Sequence, residues 1–299
     1  MSTTLKMGYL SALRKLGKKS LQSTSVFGLP YRINLGDMFS ENPFYNDHAN
    51  VGEILACASW VAGKSNPVIY DIGAHGGFIA THLAQLLQQQ QVSIFCFEPV
   101  PPTFSELVAS IQQLHVEDRV KPISLALGNK PGFVRLNYSK WASMLAQVIP
   151  QGSESNQRSG QEIFIAASST LDEVVKELPF PDVIKIDVEG WEIPVFEGGA
   201  GIRTQARFDD TAICLEWNPE AQQETGFSAS ELFEVLHGYR FFYINDYSGQ
   251  QYPLLSEVSA LRDVGFVCNV MATKAPQHRI DTWKKDFLEM KARYQVSVG

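Results

Sequence analysis

Two acidic residues separated by a glycine turn form the pattern with the clearest chemical meaning in this 299-residue chain. Asp71 ends a short apolar run, the turn at 73–77 follows it, and Glu98 ends the next apolar run. Glycines let the backbone come close to a ligand, and the helix predicted from Phe78 points its free N–H groups and positive dipole end at the same place. This strand–turn–helix unit is typical of many nucleotide-binding folds.

Asp71 narrows the class of ligand. In a dinucleotide site a pyrophosphate lies on this turn, and a carboxylate two residues before the first glycine would repel it. An ammonium or a sulfonium is attracted there, and S-adenosylmethionine carries both. The G-x-G-x-x-G spacing is also absent, which argues against a nicotinamide-dependent oxidoreductase. Glu98 is placed to accept hydrogen bonds from ribose hydroxyls.

Further acids end two later apolar runs. Asp187 and Glu189 follow the fourth predicted strand, and Glu216 and Asn218 end the fifth. Methyl transfer to an aliphatic hydroxyl needs a general base or a metal to remove the proton, whereas a neutral amine needs little activation. One hypothesis is Mg²⁺ or a similar cation on Asp187, Glu216 and Asn218. The other is a metal-free base among Asp187, Glu189 and Glu216, and a third reading has Glu189 or Glu192 cap the following helix.

The elements that must position these residues alternate along the chain as in a mostly parallel sheet with helices on both faces. Strands are predicted at about 67–72, 92–98, 120–127, 182–187, 211–217, 239–245 and 265–273, and helices near 51–62, 78–90, 102–115, 170–178 and 228–237. Residues 132–138 alternate like an additional edge strand. Within the fourth strand, Lys185 is expected to be a paired lysine rather than a catalyst.

Two segments lie outside this rhythm. Residues 1–50 are predicted to be an N-terminal extension, basic and helical at first and irregular afterwards, preceding a catalytic domain at 51–299. Docking of the basic helix on that domain is favoured over contact with a membrane surface. Residues 139–161 are rich in Ser, Gln and Gly but also carry apolar side chains, which favours a lid or substrate loop.

Composition excludes several classes of protein. Five of the 25 basic residues lie in the first 20 positions, where there is no acid, so the remainder carries 20 basic against 32 acidic residues. Such an acidic body is a poor match for nucleic acid. The four cysteines are far apart, which predicts reduced core residues rather than a zinc site. No secretory signal or membrane-spanning run is evident, so a cytoplasmic location is expected.

Several motifs together resemble the FkbM-type family of class I S-adenosylmethionine-dependent methyltransferases. They are 71–77 (DIGAHGG), 97–99 (FEP), 126–128 (ALG), 169–172 (STLD), 184–190 (IKIDVEG) and 215–219 (LEWNP). The resemblance implies a Rossmann-like α/β fold with seven strands in the order 3-2-1-4-5-7-6, the last one antiparallel. His75 stands where the family more often has Asn, and a backbone role for this residue makes the change tolerable.

The resemblance also implies roles for residues around the cofactor. The methionine part would be held by Asp71, Gly73, Ala74, His75, Gly77 and Phe78. Glu98 would bind the ribose, and Ala126 and Leu127 would flank the adenine. Members of the family mostly methylate hydroxyl oxygens, so we expect an O-methyltransferase acting on a small metabolite, a sugar or glycolipid, or a polyketide or peptide natural product. The alternatives are N-methylation of an amine or peptide, and a non-catalytic protein that retains the fold.

Overall fold

A computed structural model describes residues 3–46, 50–149, 162–246, 253–258 and 265–296. The predicted lid at 139–161 is therefore described only to Ile149, and the rest of it lies outside these ranges. The α-helices are α1 (Thr3–Lys15), α2 (Met38–Tyr45), α3 (Val51–Trp60), α4 (Phe78–Leu86), α5 (Pro101–Gln113), α6 (Leu171–Glu177), α7 (Glu192–Glu197), α8 (Pro219–Glu224), α9 (Ala229–Val235) and α10 (Gln277–Tyr294). The strands are β1 (Ser20–Thr24), β2 (Pro30–Asn34), β3 (Val68–Ile72), β4 (Ser93–Phe97), β5 (Val120–Ile123), β6 (Ala126–Leu127), β7 (Gly132–Tyr138), β8 (Val148–Ile149), β9 (Glu162–Ser169), β10 (Val183–Ile186), β11 (Ala212–Trp217), β12 (Arg240–Asp246), β13 (Glu257–Val258) and β14 (Cys268–Thr273).

The central sheet has the strand order β13-β12-β14-β11-β10-β3-β4-β5. The five strands from β11 to β5 are parallel, and β14 runs antiparallel to both of its neighbours. Eight strands are therefore present where seven were predicted, because the two-residue β13 adds an edge beside β12. The strand order reverses between β3 and β10, and ligands of open α/β sheets bind at the carboxyl ends of strands at such a point.

Apolar clusters cover both faces of this sheet, as the apolar strands predicted. One cluster joins the sheet to α3, α4 and α10, and Trp60 and Trp283 are fully buried within it. The other joins the opposite face to α6, α7 and α9, with Phe196 at its centre. The four cysteines are buried and free. Among the described helices, none is long and apolar enough to cross a membrane.

A second sheet, of four strands, has the order β6-β9-β7-β8. The predicted strand at 120–127 is in fact two strands, β5 in the central sheet and β6 in this one. The predicted edge strand at 132–138 is β7, which lies inside the second sheet and pairs with both β9 and β8.

The N-terminal extension is more regular than the irregular segment expected after its first helix. Strands β1 and β2 form an antiparallel hairpin, and Asp37 begins α2 by accepting a hydrogen bond from the N–H of Phe39 at 3.1 Å. Tyr31 and Ile33 of β2 are buried, and Arg32 forms an ion pair with Glu106 of α5. The extension is therefore packed against the catalytic body.

Candidate active site

The glycine turn after β3 can form only without side chains at two positions. Gly73 has a φ of +78°, and a Cβ there would lie 1.8 Å from the carbonyl oxygen of Asp187. Gly77 has a φ of +83°, and its Cβ would lie 2.6 Å from Leu107. The N–H of Gly73 donates to the carbonyl of Phe97 at 2.9 Å, which ties the turn to β4. The backbone thus approaches closely on both sides, and α4 starts immediately after it.

A cavity of about 1170 Å³, counted with its open mouth, lies over this turn. Almost all of the predicted cofactor residues line it: Asp71, Gly73, Ala74, His75, Phe78, Glu98, Ala126 and Leu127. Gly77 is not among the lining residues and instead packs against Leu107 of α5. Asp187 and Glu189 line the cavity as well. The structure therefore brings the glycine turn and the later acids to one site.

Asp71 and Lys185 are the most deeply buried charged groups of the cavity wall. The Lys185 ammonium lies 3.5 Å from Asp71 and 3.2 Å from Asp187, and it donates to the carbonyl of Gly73 at 3.3 Å. Burial lowers the pKa of Lys185, but the attraction of Asp187, Asp71 and Glu53 outweighs this effect and raises it. Lys185 is thus a paired strand lysine, as predicted.

The Asp71 carboxylate is 1% exposed, and within the described part of the chain neither of its oxygens accepts a hydrogen bond. Burial raises the pKa of Asp71 against the opposing attraction of Lys185. Buried carboxylate oxygens normally have donors. Apart from the Lys185 ammonium at 3.5 Å, these oxygens have no donor near them in the described ranges, which fits a site that is completed by a cationic or N–H-bearing ligand.

Glu98 stands on the other side of the turn, at the end of β4. Its two oxygens accept hydrogen bonds from the N–H groups of His75 at 3.0 Å and Val100 at 2.9 Å. Burial raises the pKa of Glu98 to about 7, although both hydrogen bonds oppose the shift. Each oxygen retains a second lone pair, so Glu98 can still accept from a diol.

Three acids at the ends of β10 and β11 form what we call the strand-end cluster: Asp187, Glu189 and Glu216. Each offers a carboxylate oxygen within 4.8 Å of the other two. Burial raises the pKa of Glu189 to about 8 and that of Glu216 to about 9, and the charge of Asp187 adds to both shifts. Such a cluster can hold a proton or a cation at neutral pH.

The structure gives Asn218 another contact. Its amide oxygen accepts from the N–H of Ala221 at 3.1 Å and so caps α8, while its amide nitrogen faces Glu216 at 3.4 Å. Of the predicted metal set Asp187, Glu216 and Asn218, the first two lie together with Glu189, and Asn218 is next to Glu216.

The two glutamates of the 189–192 turn have different roles. The Glu192 carboxylate accepts from the N–H groups of Val188 at 3.4 Å and Gly190 at 3.3 Å, which precede α7. Among the described residues no side chain caps α7 itself, so the predicted capping by Glu189 or Glu192 is wrong. Glu189 has a φ of 53°, a left-handed conformation that costs energy for a residue with a side chain. Within the described part of the chain no hydrogen-bond donor points at its carboxylate, which is 7% exposed. Glu189 is therefore free for chemistry.

Residues 30–46 and 132–149 supply a further part of the cavity wall, and we call them the cover. The Ser143 hydroxyl donates to Asp37, and the Nε2 atom of His75 lies 2.5 Å from the Ser143 oxygen. Since the single Ser143 proton goes to Asp37, His75 is the donor in this contact. Burial lowers the pKa of His75 despite the attraction of Asp37, which keeps the imidazole neutral. The cover is thus joined to the glycine turn by two successive hydrogen bonds, from His75 to Ser143 and from Ser143 to Asp37.

Sequence patterns did not point to Asp37, Ser143 or Glu53. Asp37 lies outside the motifs, and Ser143 lies in the predicted lid without a pattern that marks it; they meet His75 only in the folded chain, 38 and 68 positions from it in sequence. Glu53 lies on an otherwise apolar stretch of α3, where burial raises its pKa to about 7. A buried acid on an apolar helix was the available signal for Glu53.

The site contains the glycine turn, Glu98 at the end of β4 and the strand-end cluster, and this arrangement agrees with a match to a family model. Residues 71–243, more than half of the chain, match the methyltransferase FkbM domain. The chain belongs to this family. Membership confirms the resemblance seen in the motifs and identifies the fold as that of a class I methyltransferase.

Individual relatives are more distant. The chain is 28% identical over 137 residues to the hexuronic acid methyltransferase AglP of Haloferax volcanii, a match covering 45% of this chain and 51% of that protein. It thus spans about half the length of this curated relative. A crystal structure of methyltransferase FkbM from Methylobacillus flagellatus KT is similar with a TM-score of 0.42 and 11% identity, covering 72% of this chain and 47% of that one. The structure of the M. jannaschii protein TYW2 in complex with AdoMet is similar with a TM-score of 0.39 and 11% identity. The match covers 85% of this chain and 84% of that one.

Proposed function

We propose that the protein transfers a methyl group from S-adenosylmethionine to a hydroxyl oxygen of a small acceptor, with a sugar or glycolipid favoured among metabolites. The observation that carries this proposal is the position of two acids of the strand-end cluster, Asp187 and Glu189, in the wall of the same cavity as the glycine turn. The name of the Haloferax relative, a hexuronic acid methyltransferase, supports a sugar acceptor.

The residues around the glycine turn fit S-adenosylmethionine. Asp71, with its donor-free oxygens, and the turn at 73–77 would hold the methionine part, and Glu98 would accept from the ribose hydroxyls. Ala126 and Leu127 supply a buried apolar wall for the adenine. When bound, this cofactor supplies an electrophilic methyl group whose departure neutralises a sulfonium charge, so no anion has to be stabilised at the leaving group.

Glu189 is the proposed general base. Its carboxylate is buried, accepts no hydrogen bond in the described ranges and has a pKa raised to about 8, so its ionised form is a strong proton acceptor. Asp187 is held by Lys185 at 3.2 Å and is a weaker candidate for taking the proton. Glu216, whose pKa is raised to about 9, keeps its proton to a higher pH than Glu189.

A divalent cation on the strand-end cluster is the alternative means of ionising the hydroxyl. Carboxylate oxygens are suitable ligands for Mg²⁺, and three of them converge here. A chelator separates the two mechanisms, because a base-only enzyme keeps its turnover in EDTA.

Residues 51–299 are proposed as the catalytic domain. The extension at 1–50 supplies part of the cover through Arg32, Phe39, Ser40 and Pro43, which line the cavity. The described part of the predicted lid, 139–149, supplies Ser143, Ala146 and Val148. We propose that this part of the lid encloses the cofactor.

Calorimetric titration with S-adenosylhomocysteine tests the cofactor. Intact protein is expected to bind it and Asp71→Ala to bind much more weakly, and absence of binding by the intact protein would overturn the proposal. A screen of hydroxylated acceptors, with mass detection of one added CH2 unit, then tests oxygen transfer. If amines and no hydroxyl compounds gain this mass, N-methylation replaces it.

The base has its own test. Glu189→Gln is expected to lower kcat by roughly 100-fold or more, the usual contribution of a general base, with an unchanged Kd for S-adenosylhomocysteine. Because the pKa of Glu189 is about 8, kcat of the wild type should rise with pH through that value. Glu220→Gln, which changes an exposed acid of α8, is the control and should leave kcat unchanged. Equal kcat in both variants would remove Glu189 from the mechanism.

A further inference from the structure

A second depression of about 1260 Å³, counted with its mouth, adjoins the cofactor cavity, and we call it the groove. It lies between the 128–135 segment and the chain around Trp191 and Phe227. Trp191 and Val148 line both the cavity and the groove. The groove and the cavity therefore meet at these two side chains.

The groove differs in charge from the rest of the molecule. Its charged lining residues in the described ranges are Lys130 and Arg135, both basic, in a protein of net charge −7. Arg135 is exposed and forms no ion pair with any described residue. The adjoining cavity wall instead carries Asp187 and Glu189. A ligand that spans both would fit best with an anionic group at one end and a hydroxyl at the other.

Aromatic rings form one wall of the groove. Trp191 and Phe227 pack edge to face with centroids 5.8 Å apart. A Cβ on Gly128 would lie 3.1 Å from the Trp191 indole nitrogen, so the glycine lets the indole lie close to the backbone. Within the described part of the chain, that indole N–H has no hydrogen-bond acceptor. An amphipathic ring of this kind suits a sugar, whose C–H face packs on an aromatic ring and whose hydroxyls accept hydrogen bonds.

We propose that the groove binds the acidic part of an anionic saccharide, a carboxylate or phosphate group on the sugar pairing with Arg135, while a hydroxyl of the same acceptor reaches the strand-end cluster past Trp191. This inference rests on the proposed function. The transfer is unchanged: the C–O bond forms as the bond from methyl carbon to sulfur breaks, and the hydroxyl proton passes to Glu189. Binding in the groove selects which hydroxyl-bearing molecule is positioned at the strand-end cluster.

Binding of defined sugars to protein saturated with S-adenosylhomocysteine tests the groove. The probes are methyl β-D-glucuronide, glucose 1-phosphate and the neutral methyl β-D-glucoside. Their binding is measured by titration with saturation-transfer NMR. The wild type is expected to bind at least one anionic probe about tenfold more tightly than the neutral one. The uronate and phosphate arms identify which anion is preferred. Added salt should weaken the anionic probes alone, because the Arg135 side chain is exposed.

Arg135→Gln should remove most of the tenfold preference and leave the Kd for S-adenosylhomocysteine unchanged. Arg293→Gln, an exposed arginine on α10, is the matched control and should keep the preference. Equal binding of charged and neutral probes by the wild type, or an unaltered preference in Arg135→Gln, would overturn the groove proposal. Failure to bind S-adenosylhomocysteine would instead overturn the proposed function, so the two failures are distinct.

Discussion

The strand-end cluster and the groove lie on either side of Trp191 and differ in both burial and charge. The cluster is acidic, is supported by the buried Lys185 and stands on strands of the central sheet. The groove is basic, has the exposed Arg135 in its wall and is formed largely by the second sheet and short connections. The buried side fixes a reaction geometry that any acceptor requires, whereas the open side can change its side chains at little cost in stability. Substitutions should therefore be severe on the buried side and mild on the open side.

The largest loss is expected from Gly73→Ala, on the buried side. Strain in the left-handed region and overpacking against Asp187 each cost about 1–3 kcal/mol. We expect roughly 3 kcal/mol or more of lost stability and no measurable binding of S-adenosylhomocysteine. Chemical denaturation measures the first and calorimetry the second. Gly76→Ala is the matched control, because a Cβ there meets nothing within 4 Å and its φ is not in the left-handed region. Similar losses in both variants would show that the glycine turn does not depend on the close approach of Gly73 to Asp187.

Lys185→Met should be almost as damaging. It leaves Asp71 and Asp187 without their cation in a buried site, and breaking such a pair costs about 3–5 kcal/mol. Lys176→Met breaks the exposed ion pair with Glu173 and should cost less than about 1 kcal/mol. Urea denaturation measures both. A double variant Lys185→Met/Asp71→Asn should recover part of the loss, and absence of any recovery would contradict the pairing.

Glu53→Gln should change how stability depends on pH. Burial raises the folded-state pKa of Glu53 to about 7, above the unfolded value of about 4.3, so protonation of this acid stabilises the fold. That stability is complete below the unfolded pKa and is lost as pH rises through about 7. The variant cannot ionise and keeps its stability as pH rises. The free energy of unfolding of the wild type should therefore fall relative to that of the variant by roughly 3 kcal/mol between the unfolded and folded pKa values.

Denaturation series at several pH values measure the Glu53 effect. The exposed Glu234→Gln is its control and should follow the wild type at every pH. A constant difference between Glu53→Gln and the wild type would mean that Glu53 is ionised in the folded protein.

The smallest of these effects is expected on the cover, with Ser143→Ala. It removes the hydroxyl that joins His75 to Asp37, a loss worth about 1 kcal/mol. The Kd for S-adenosylhomocysteine should rise about fivefold, with little change in melting temperature. Ser105→Ala, on the exposed surface of α5, is the control. A collapse in stability with Ser143→Ala would place the cover with the buried side and weaken the comparison.

Local sequence patterns predicted the parts of the site that depend on neighbours in the chain. The turn at 73–77 needs glycines because of its backbone angles, and Asp71 and Glu98 end apolar runs, so their places at strand ends followed from periodicity. The split of 120–127 into two strands was missed, although Ser124 interrupts the apolar run, because the pairing of its end with β9 is a long-range contact.

Long-range contacts decided the remainder. Asn218 and Glu189 are both polar residues after apolar strands, and the difference between them depends on whether a backbone N–H is in reach, as Ala221 is for Asn218. Arg135 alternates along β7 like any exposed strand residue, and its place in the groove depends on the chain around Trp191.

The amino-acid sequence by itself determined the class of fold, the cofactor turn and the acids at the strand ends, because strand periodicity and glycine geometry act over a few residues. Only the tertiary structure decided that Asp37 and Ser143 join His75, that Lys185 lies between Asp71 and Asp187, and that a basic groove meets an acidic cavity at Trp191. These contacts join segments far apart in sequence, and the packing of two sheets and an N-terminal hairpin sets their distances.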